Sequence, residues 1–211
     1  MFTPTIYIPN CDLDSDYITL DDSKLHHLKN VLRMKNEDNV NISNGNGKLL
    51  IGKLSKNDVK VSSKKDYVRN HETKIFVPAL REKNRFRFMI EKLVELNVSK
   101  LVIGKTENSQ NTRLEANRIS NWAISAVEQS GSPFFPDIEV TEEIDFSIFR
   151  TCFDISGEPI NKDTDKVDTF AIGPEGGWSP KELANFEIKY KITDFNLRSE
   201  TAAVSAVSLI M

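Results

Sequence analysis

The chain is poor in cysteine: among 211 residues there are two, Cys11 and Cys152, far apart in sequence and without metal-ligand spacing. That excludes a disulfide framework and a cysteine-built metal site, and points to reduced thiols in a cytoplasmic protein. No apolar run reaches the length needed to span a bilayer, and the N-terminus lacks the basic and apolar regions of a signal peptide, so no membrane partner is expected. Neither Gly-x-x-x-x-Gly-Lys-Ser/Thr nor Gly-x-Gly-x-x-Gly occurs, which sets aside the common nucleotide-phosphate loops. Internal repeats and low-complexity segments are also missing. The net charge of −3 gives no overall excess of positive charge for a polyanion. It conceals a division, however: residues 1–130 carry a balance of +5 and residues 131–211 one of −8. A phosphate-binding surface is a local property, so the first part remains compatible with RNA while the second suggests another task.

The most informative stretch is Ile172-Gly173-Pro174-Glu175-Gly176-Gly177-Trp178-Ser179. It follows an apolar run, Asp168-Thr169-Phe170-Ala171, that reads as the end of a buried strand. It leads into Ser179-Pro180-Lys181-Glu182, where serine can cap a helix, proline is preset for its first position and Glu182 can close a capping box. A strand, a glycine-rich elbow and a capped helix form a ligand cradle at the carboxyl end of a sheet strand. Three glycines, a proline and an acid within five positions favour binding over an ordinary turn.

Residues 1–70 read as a small β-rich unit. Thr5–Ile8 is a short strand, a turn-rich stretch runs to Ser23, and a brief helix carries His26, His27, Leu28, Val31 and Leu32. Asn39–Ser43 alternates at period two, meets the hairpin signal Asn44-Gly45-Asn46-Gly47 and returns as Leu49–Leu54, with a further strand within Asp58–Val68. The pattern changes at His71–Thr73. From Lys74, strands at Ile75–Leu80, Leu101–Gly104, Phe149–Ile155, Thr169–Ile172 and Ile192–Leu197 alternate with helices. One helix carries Phe86, Met89, Ile90, Leu93, Val94 and Val98, one runs from about Thr112 to Ser130, and one starts near Ser199. This implies an α/β domain with a parallel sheet covered on both faces.

Four motifs occur in order: His27-Leu28-Lys29-Asn30-Val31-Leu32-Arg33-Met34; Lys92 with Glu95-Leu96-Asn97-Val98; Ala126-Val127-Glu128-Gln129-Ser130; and the Gly173–Gly177 loop with Leu197-Arg198-Ser199-Glu200-Thr201-Ala202. The set resembles the RsmE family of the SPOUT superfamily, enzymes that methylate N3 of a uridine in small-subunit (16S) ribosomal RNA. The similarity extends over nearly the whole chain. It implies a PUA-like RNA-binding β-barrel domain at residues 1–70. Residues 74–211 would form a SPOUT methyltransferase domain whose C-terminal trefoil knot holds S-adenosyl-L-methionine. It also implies a homodimer acting on small-subunit ribosomal RNA or the assembled subunit, without a metal.

On this resemblance, Ile172, Gly173, Pro174, Glu175, Gly176 and Gly177 form one wall of the cofactor pocket, and Leu197, Arg198, Ser199, Thr201 and Ala202 form the adjacent one. Methyl transfer to N3 requires loss of the N3 proton, so a cation or a base is needed. Arg198, before a helix N-terminus, is placed to steady charge developing on the uracil carbonyls, and Glu200 or Glu95 to accept the proton. Lys24, Lys29, Arg33 and Lys35 make a phosphate-contacting patch, and Lys92 and Gln129 are further RNA-binding candidates. Three family arginines are missing: Ser132-Pro133-Phe134-Phe135 and Phe195 stand in the places of two, and the third, near the N-terminus, is Thr5 or absent. The final helix is expected to be shorter than the family's.

Overall fold

A computed structural model describes residues 3–109, 113–160 and 167–210. The chain divides into two compact units, one formed by Met1–Arg69 with Ile124–Phe135 and the other by Asn70–Ala123 with Pro136–Met211.

The first unit is a five-stranded sheet. Strands β1 (Thr5–Tyr7), β2 (Tyr17–Thr19), β3 (Asn39–Ser43), β4 (Lys48–Ser55) and β5 (Asp58–Asp66) lie in the order β1-β3-β4-β5-β2, with only the β1–β3 pair parallel. The inward positions Ile6, Val40, Ile42, Leu50, Leu54 and Val59 are almost fully buried, as period-two alternation requires of a sheet with one covered face. The β3–β4 turn forms as its Asn-Gly pairs demand. Gly45 and Gly47 hold φ of +77° and +85°, and the Asn44 side-chain oxygen accepts from the Asn46 and Lys48 amides at 2.8 and 3.0 Å. Helix α1 (Asp22–His26) is capped by the Asp21 carboxylate and runs into a π-turn at His27–Val31, which buries Leu28.

Within the stretch expected to be rich in turns, β2 is present. It is too short for periodicity to show, with Ile18 alone buried and Tyr17 and Thr19 exposed. Residues 124–135, inside the 74–211 span, cluster with this first unit. The Glu128 carboxylate accepts from the Tyr7 amide at 3.0 Å, and the Tyr7 and Phe135 rings stack at 4.8 Å.

The second unit is a six-stranded, wholly parallel sheet. Its elements in chain order are β6 (Lys74–Pro78), α2 (Lys83–Glu95), β7 (Lys100–Gly104), the first half of α3 (Ala116–Ser130, whose residues from Ile124 cluster with the first unit), β8 (Asp137–Val140), β9 (Thr151–Pro159), β10 (Thr169–Ile172), α4 (Pro180–Leu183), β11 (Ile188–Lys191) and α5 (Ser199–Ile210). The strands lie in the order β11-β9-β10-β6-β7-β8. Ile75, Phe76, Val77, Phe170 and Ala171 have no exposure, as expected for strands buried on both faces. Helix α2 is capped by the Glu82 carboxylate, buries Phe86, Met89, Ile90, Leu93 and Val94, and packs against α5.

The chain leaves β6 in one direction through β7 and β8, then returns to the other side as β9, and β10 fills the gap beside β6. The direction of winding therefore reverses between β6 and β10. A ligand crevice in an open parallel sheet forms outside the carboxyl ends of the strands at such a reversal.

Three expectations need adjustment. The strand anticipated at Ile192–Leu197 lies earlier, at Ile188–Lys191, because Thr193 folds the following residues into a turn. Its hydroxyl accepts from the Phe195 amide at 3.1 Å and donates to the Phe195 carbonyl at 2.8 Å. The strand anticipated at Phe149–Ile155 spans Thr151–Pro159, since Phe149 is taken into an aromatic core with Phe76 and Trp178. The helix expected from Thr112 begins at Ala116, and Thr112 itself lies outside the described residues. The short strand β8 had no counterpart in the sequence reading.

Candidate functional site

The Gly173–Gly177 loop leaves the carboxyl end of β10, the strand beside the reversal. It is held from both ends. Downstream, the capping box forms in full: the Ser179 hydroxyl accepts from the Glu182 amide at 3.2 Å, and the Glu182 carboxylate accepts from the Ser179 amide at 2.9 Å. The other Glu182 oxygen accepts from the Glu107 amide at 2.9 Å, so this buried carboxylate ties the loop after β7 to the start of α4. Beneath the loop, Trp178 is buried against Phe76, Phe146 and Phe186, and its indole N–H donates to the Phe153 carbonyl at 3.2 Å. An indole fixed at face and edge makes a rigid floor.

The loop's own conformation depends on its glycines. Gly177 has φ of +73°, in the left-handed region, and its carbonyl accepts from the Asn108 side-chain amide at 3.0 Å. A Cβ at Gly176 would meet the Asn108 backbone oxygen at 3.0 Å, so a side chain there would force the two loops apart.

Facing this loop is the segment that enters α5. The buried Ser199 hydroxyl donates to the Gly173 carbonyl at 2.8 Å. Between the two segments lies a cavity of about 310 Å³, within the usual range for small-molecule sites of ~300–1,000 Å³. Of the expected cofactor contacts, Ile172, Gly173, Pro174, Glu175, Gly176, Gly177, Leu197, Ser199 and Ala202 line it. Arg198 and Thr201 do not; both are exposed, because consecutive residues at a helix start diverge by about 100° and only Ser199 and Ala202 share the inward face.

The cavity also takes in Phe153, Asp154 and Ile155 from β9, Trp178, and a run from Tyr190 to Thr193 with Phe195 and Asn196. Apart from Trp178, which belongs to the glycine-rich stretch, and Phe195, noted as replacing a family arginine, these were not singled out from the sequence. The polar turn chemistry of Thr193, Asp194 and Asn196 was the available sign that 192–197 is a loop.

Glu200 is buried and is held by Arg85 of α2: Nε donates to one carboxylate oxygen at 2.8 Å and a terminal nitrogen to the other at 2.6 Å. Burial pushes the Glu200 carboxyl up, but the Arg85 hydrogen bonds with the Arg85 and Arg198 charges outweigh it and leave the group below its ordinary value. A carboxylate so committed is a weak proton acceptor. Glu95 bonds Lys92 at 2.7 Å on α2, and neither residue lines the cavity.

In the first unit, Lys24 pairs with Asp21 at 2.9 Å, while Lys29, Arg33 and Lys35 project from or just after the π-turn. Arg33 adopts φ of +57° and, like Lys35, is exposed. Gln129 is exposed in the last turn of α3. Among the described residues, no cluster of three or more His, Cys, Asp or Glu could hold a metal, and no helix is long and apolar enough to cross a membrane.

A doubly wound parallel sheet with a glycine-rich cradle at its reversal defines a ligand-binding α/β protein of the kind that uses a nucleotide-like cofactor. Comparison with known proteins makes this specific. A family model described as "RNA methyltransferase domain" matches residues 69–211, and one described as "RNA methyltransferase PUA domain" matches residues 20–62. The chain belongs to this family of RNA methyltransferases. Ribosomal RNA small subunit methyltransferase E 2 of Borreliella burgdorferi is 29% identical over 94% of this chain and 92% of its own length. Among solved structures, a Legionella pneumophila protein in complex with S-adenosylmethionine superimposes with a TM-score of 0.84 at 22% identity, over 100% of this chain and 97% of that one. Ribosomal RNA small subunit methyltransferase E of Neisseria gonorrhoeae, bound to S-adenosyl methionine, gives a TM-score of 0.81 at 23% identity over 98% and 96%. These likenesses show the fold, a PUA-like sheet followed by an α/β domain with a wholly parallel sheet.

Proposed function

We propose that the protein uses S-adenosylmethionine to methylate N3 of a uridine in small-subunit ribosomal RNA, acting in the cytoplasm as a homodimer. The observation that carries this reading is the cavity between the Gly173–Gly177 loop and the start of α5, set at the sheet's reversal in a chain of the RNA methyltransferase family. The residues fit the cofactor. Glycines and Ala202 leave room beside exposed backbone groups that can read an adenine edge, while Ile172, Pro174, Phe153 and Trp178 offer an apolar lining. The trefoil knot implied by the family resemblance would be tied around this pocket.

Bound there, the cofactor supplies an electrophilic methyl group on a sulfonium centre. The chain's own task is to orient the uracil and to favour the N3 anion. Arg198, an exposed cation one residue before α5, is assigned to the charge that spreads onto the uracil carbonyls. Glu200 is assigned a structural role by its two bonds to Arg85, and Glu95 remains the candidate acceptor where a partner subunit completes the site. Lys24, Lys29, Arg33 and Lys35 are assigned to phosphate contacts, and Lys92 and Gln129 to further RNA contacts.

The test is incubation with S-adenosylmethionine and unmodified small ribosomal subunits, followed by digestion to nucleosides and mass spectrometry. N3-methyluridine is the expected product. A ribose-methylated nucleoside, or no methyl group despite cofactor binding, refutes the reading.

A further inference from the structure

Arg85 touches both walls of the cofactor pocket from outside it. It lies in the first turn of α2, 115 positions before Glu200. Its Nε and one terminal nitrogen form the bidentate pair with Glu200, and that same terminal nitrogen lies 2.6 Å from a carboxylate oxygen of Glu175. Glu175 belongs to the glycine-rich loop and Glu200 to α5, so one guanidinium joins the two segments that face each other across the cavity. A second stitch between them is the Ser199–Gly173 bond at 2.8 Å.

The two arms are unequal. The side chain of Glu200 is 10% exposed and makes two bonds, whereas that of Glu175 is 36% exposed and makes one. The planar fork thus anchors Arg85 on α5 and leaves a single contact to the glycine-rich loop. Without the cation, two carboxylates would be left adjacent and unshielded, one of them buried, and their repulsion would act to part the walls.

We propose that Arg85 is a positioning residue for the cofactor: it sets the spacing of the Gly173–Gly177 loop against α5 without itself touching the reacting atoms. The inference rests on the methyltransferase reading above, which wild-type binding of S-adenosylmethionine tests separately. Binding is measured by calorimetry and by intrinsic tryptophan fluorescence, and methyl transfer is measured on small subunits, for Arg85→Gln, Arg85→Lys, Glu175→Ala and the double variant Arg85→Gln/Glu175→Ala. Arg85→Gln raises both Kd and KM for the cofactor about 30-fold, while kcat at saturating cofactor and KM for RNA stay within about threefold, as loss of binding energy alone requires. Arg85→Lys keeps the charge but not the fork and recovers about half of that loss on a logarithmic scale. Glu175→Ala costs about fivefold, and the double variant is no worse than Arg85→Gln because the two residues act through one contact.

Wild-type protein that binds no S-adenosylmethionine overturns the functional reading. Wild-type binding with Arg85→Gln within twofold of it overturns the positioning role alone. So does a loss that falls equally on the KM values for RNA and cofactor. Should Arg85→Gln fail to fold, Glu175→Ala, at an exposed loop position, decides: unchanged cofactor affinity refutes the proposal.

Discussion

Glu182 offers the sharpest test of how the site is held. Its carboxylate is 5% exposed and accepts from two backbone amides, Ser179 and Glu107, both at 2.9 Å. Replacing it with alanine leaves two N–H groups without acceptors beside a helix N-terminus that has lost its negative charge. A hydrogen bond to a charged group contributes about 1.5–3 kcal/mol, and limited water entry returns part of that, so Glu182→Ala is expected to cost about 3–5 kcal/mol. Glutamine keeps one acceptor oxygen and should cost about half as much. For a chain of this size each kcal/mol shifts Tm by about 2–4 °C, which places the alanine variant ~6–20 °C below wild type. Urea unfolding at fixed m-value, together with calorimetric melting, measures the loss. Cofactor affinity should fall in parallel, because the Glu107 bond aligns the loop whose Asn108 holds Gly177. A destabilisation below about 1 kcal/mol, or alanine and glutamine variants of equal stability, would refute the argument that two charge-assisted bonds fix this corner.

Arg198→Ala should leave Tm and cofactor affinity unchanged, since the side chain is exposed and outside the cavity, yet lower kcat by about 10²–10³-fold; an unimpaired kcat removes its assigned role. Ala202→Leu places a branched side chain in the pocket at a position where leucine suits the helix, so cofactor binding should fall more than about 100-fold with little loss of helix stability; retained binding, measured by calorimetry, shows that the cavity is not the cofactor site. The Glu200 carboxyl sits below its ordinary 4.5 in the folded protein, so its contribution to stability is present above that value and is lost as pH falls through the lower folded value. Urea midpoints measured between pH 6 and pH 3 should therefore fall less steeply for Glu200→Gln than for wild type, and parallel profiles would contradict the pairing with Arg85.

The parts of this molecule that could be read in advance are those whose causes are local. The capping box at Ser179–Glu182, the Asn-Gly turn at 44–47 and the apolar runs of β6 and β10 each carry their reason within a few residues. The opposing pocket wall was visible only through resemblance, because nothing in Leu197–Ala202 alone requires it to face Gly173. Arg85 passed unnoticed for a related reason. In sequence it is one cation among several at the start of an amphipathic helix, and its two carboxylate partners lie far downstream. Arg198 and Thr201 were grouped with Ser199 and Ala202 by adjacency, whereas the rotation of the helix separates them. The strands β2 and β8, of three and four residues, are too short for a period to emerge.

The first unit takes its last piece from residues 124–135, well past the point where its sheet is complete in sequence. During synthesis the strands ending at Asp66 emerge well before Glu128 and Phe135 can reach Tyr7, a delay of about 3–13 s at ~5–20 residues per second. Through that interval the β1 edge and the Tyr7 ring stand uncovered on a nascent chain. A fragment cut at residue 70 would remain permanently in that state, so anyone isolating the first unit would do better to graft the 124–135 segment back onto it than to trim at residue 70.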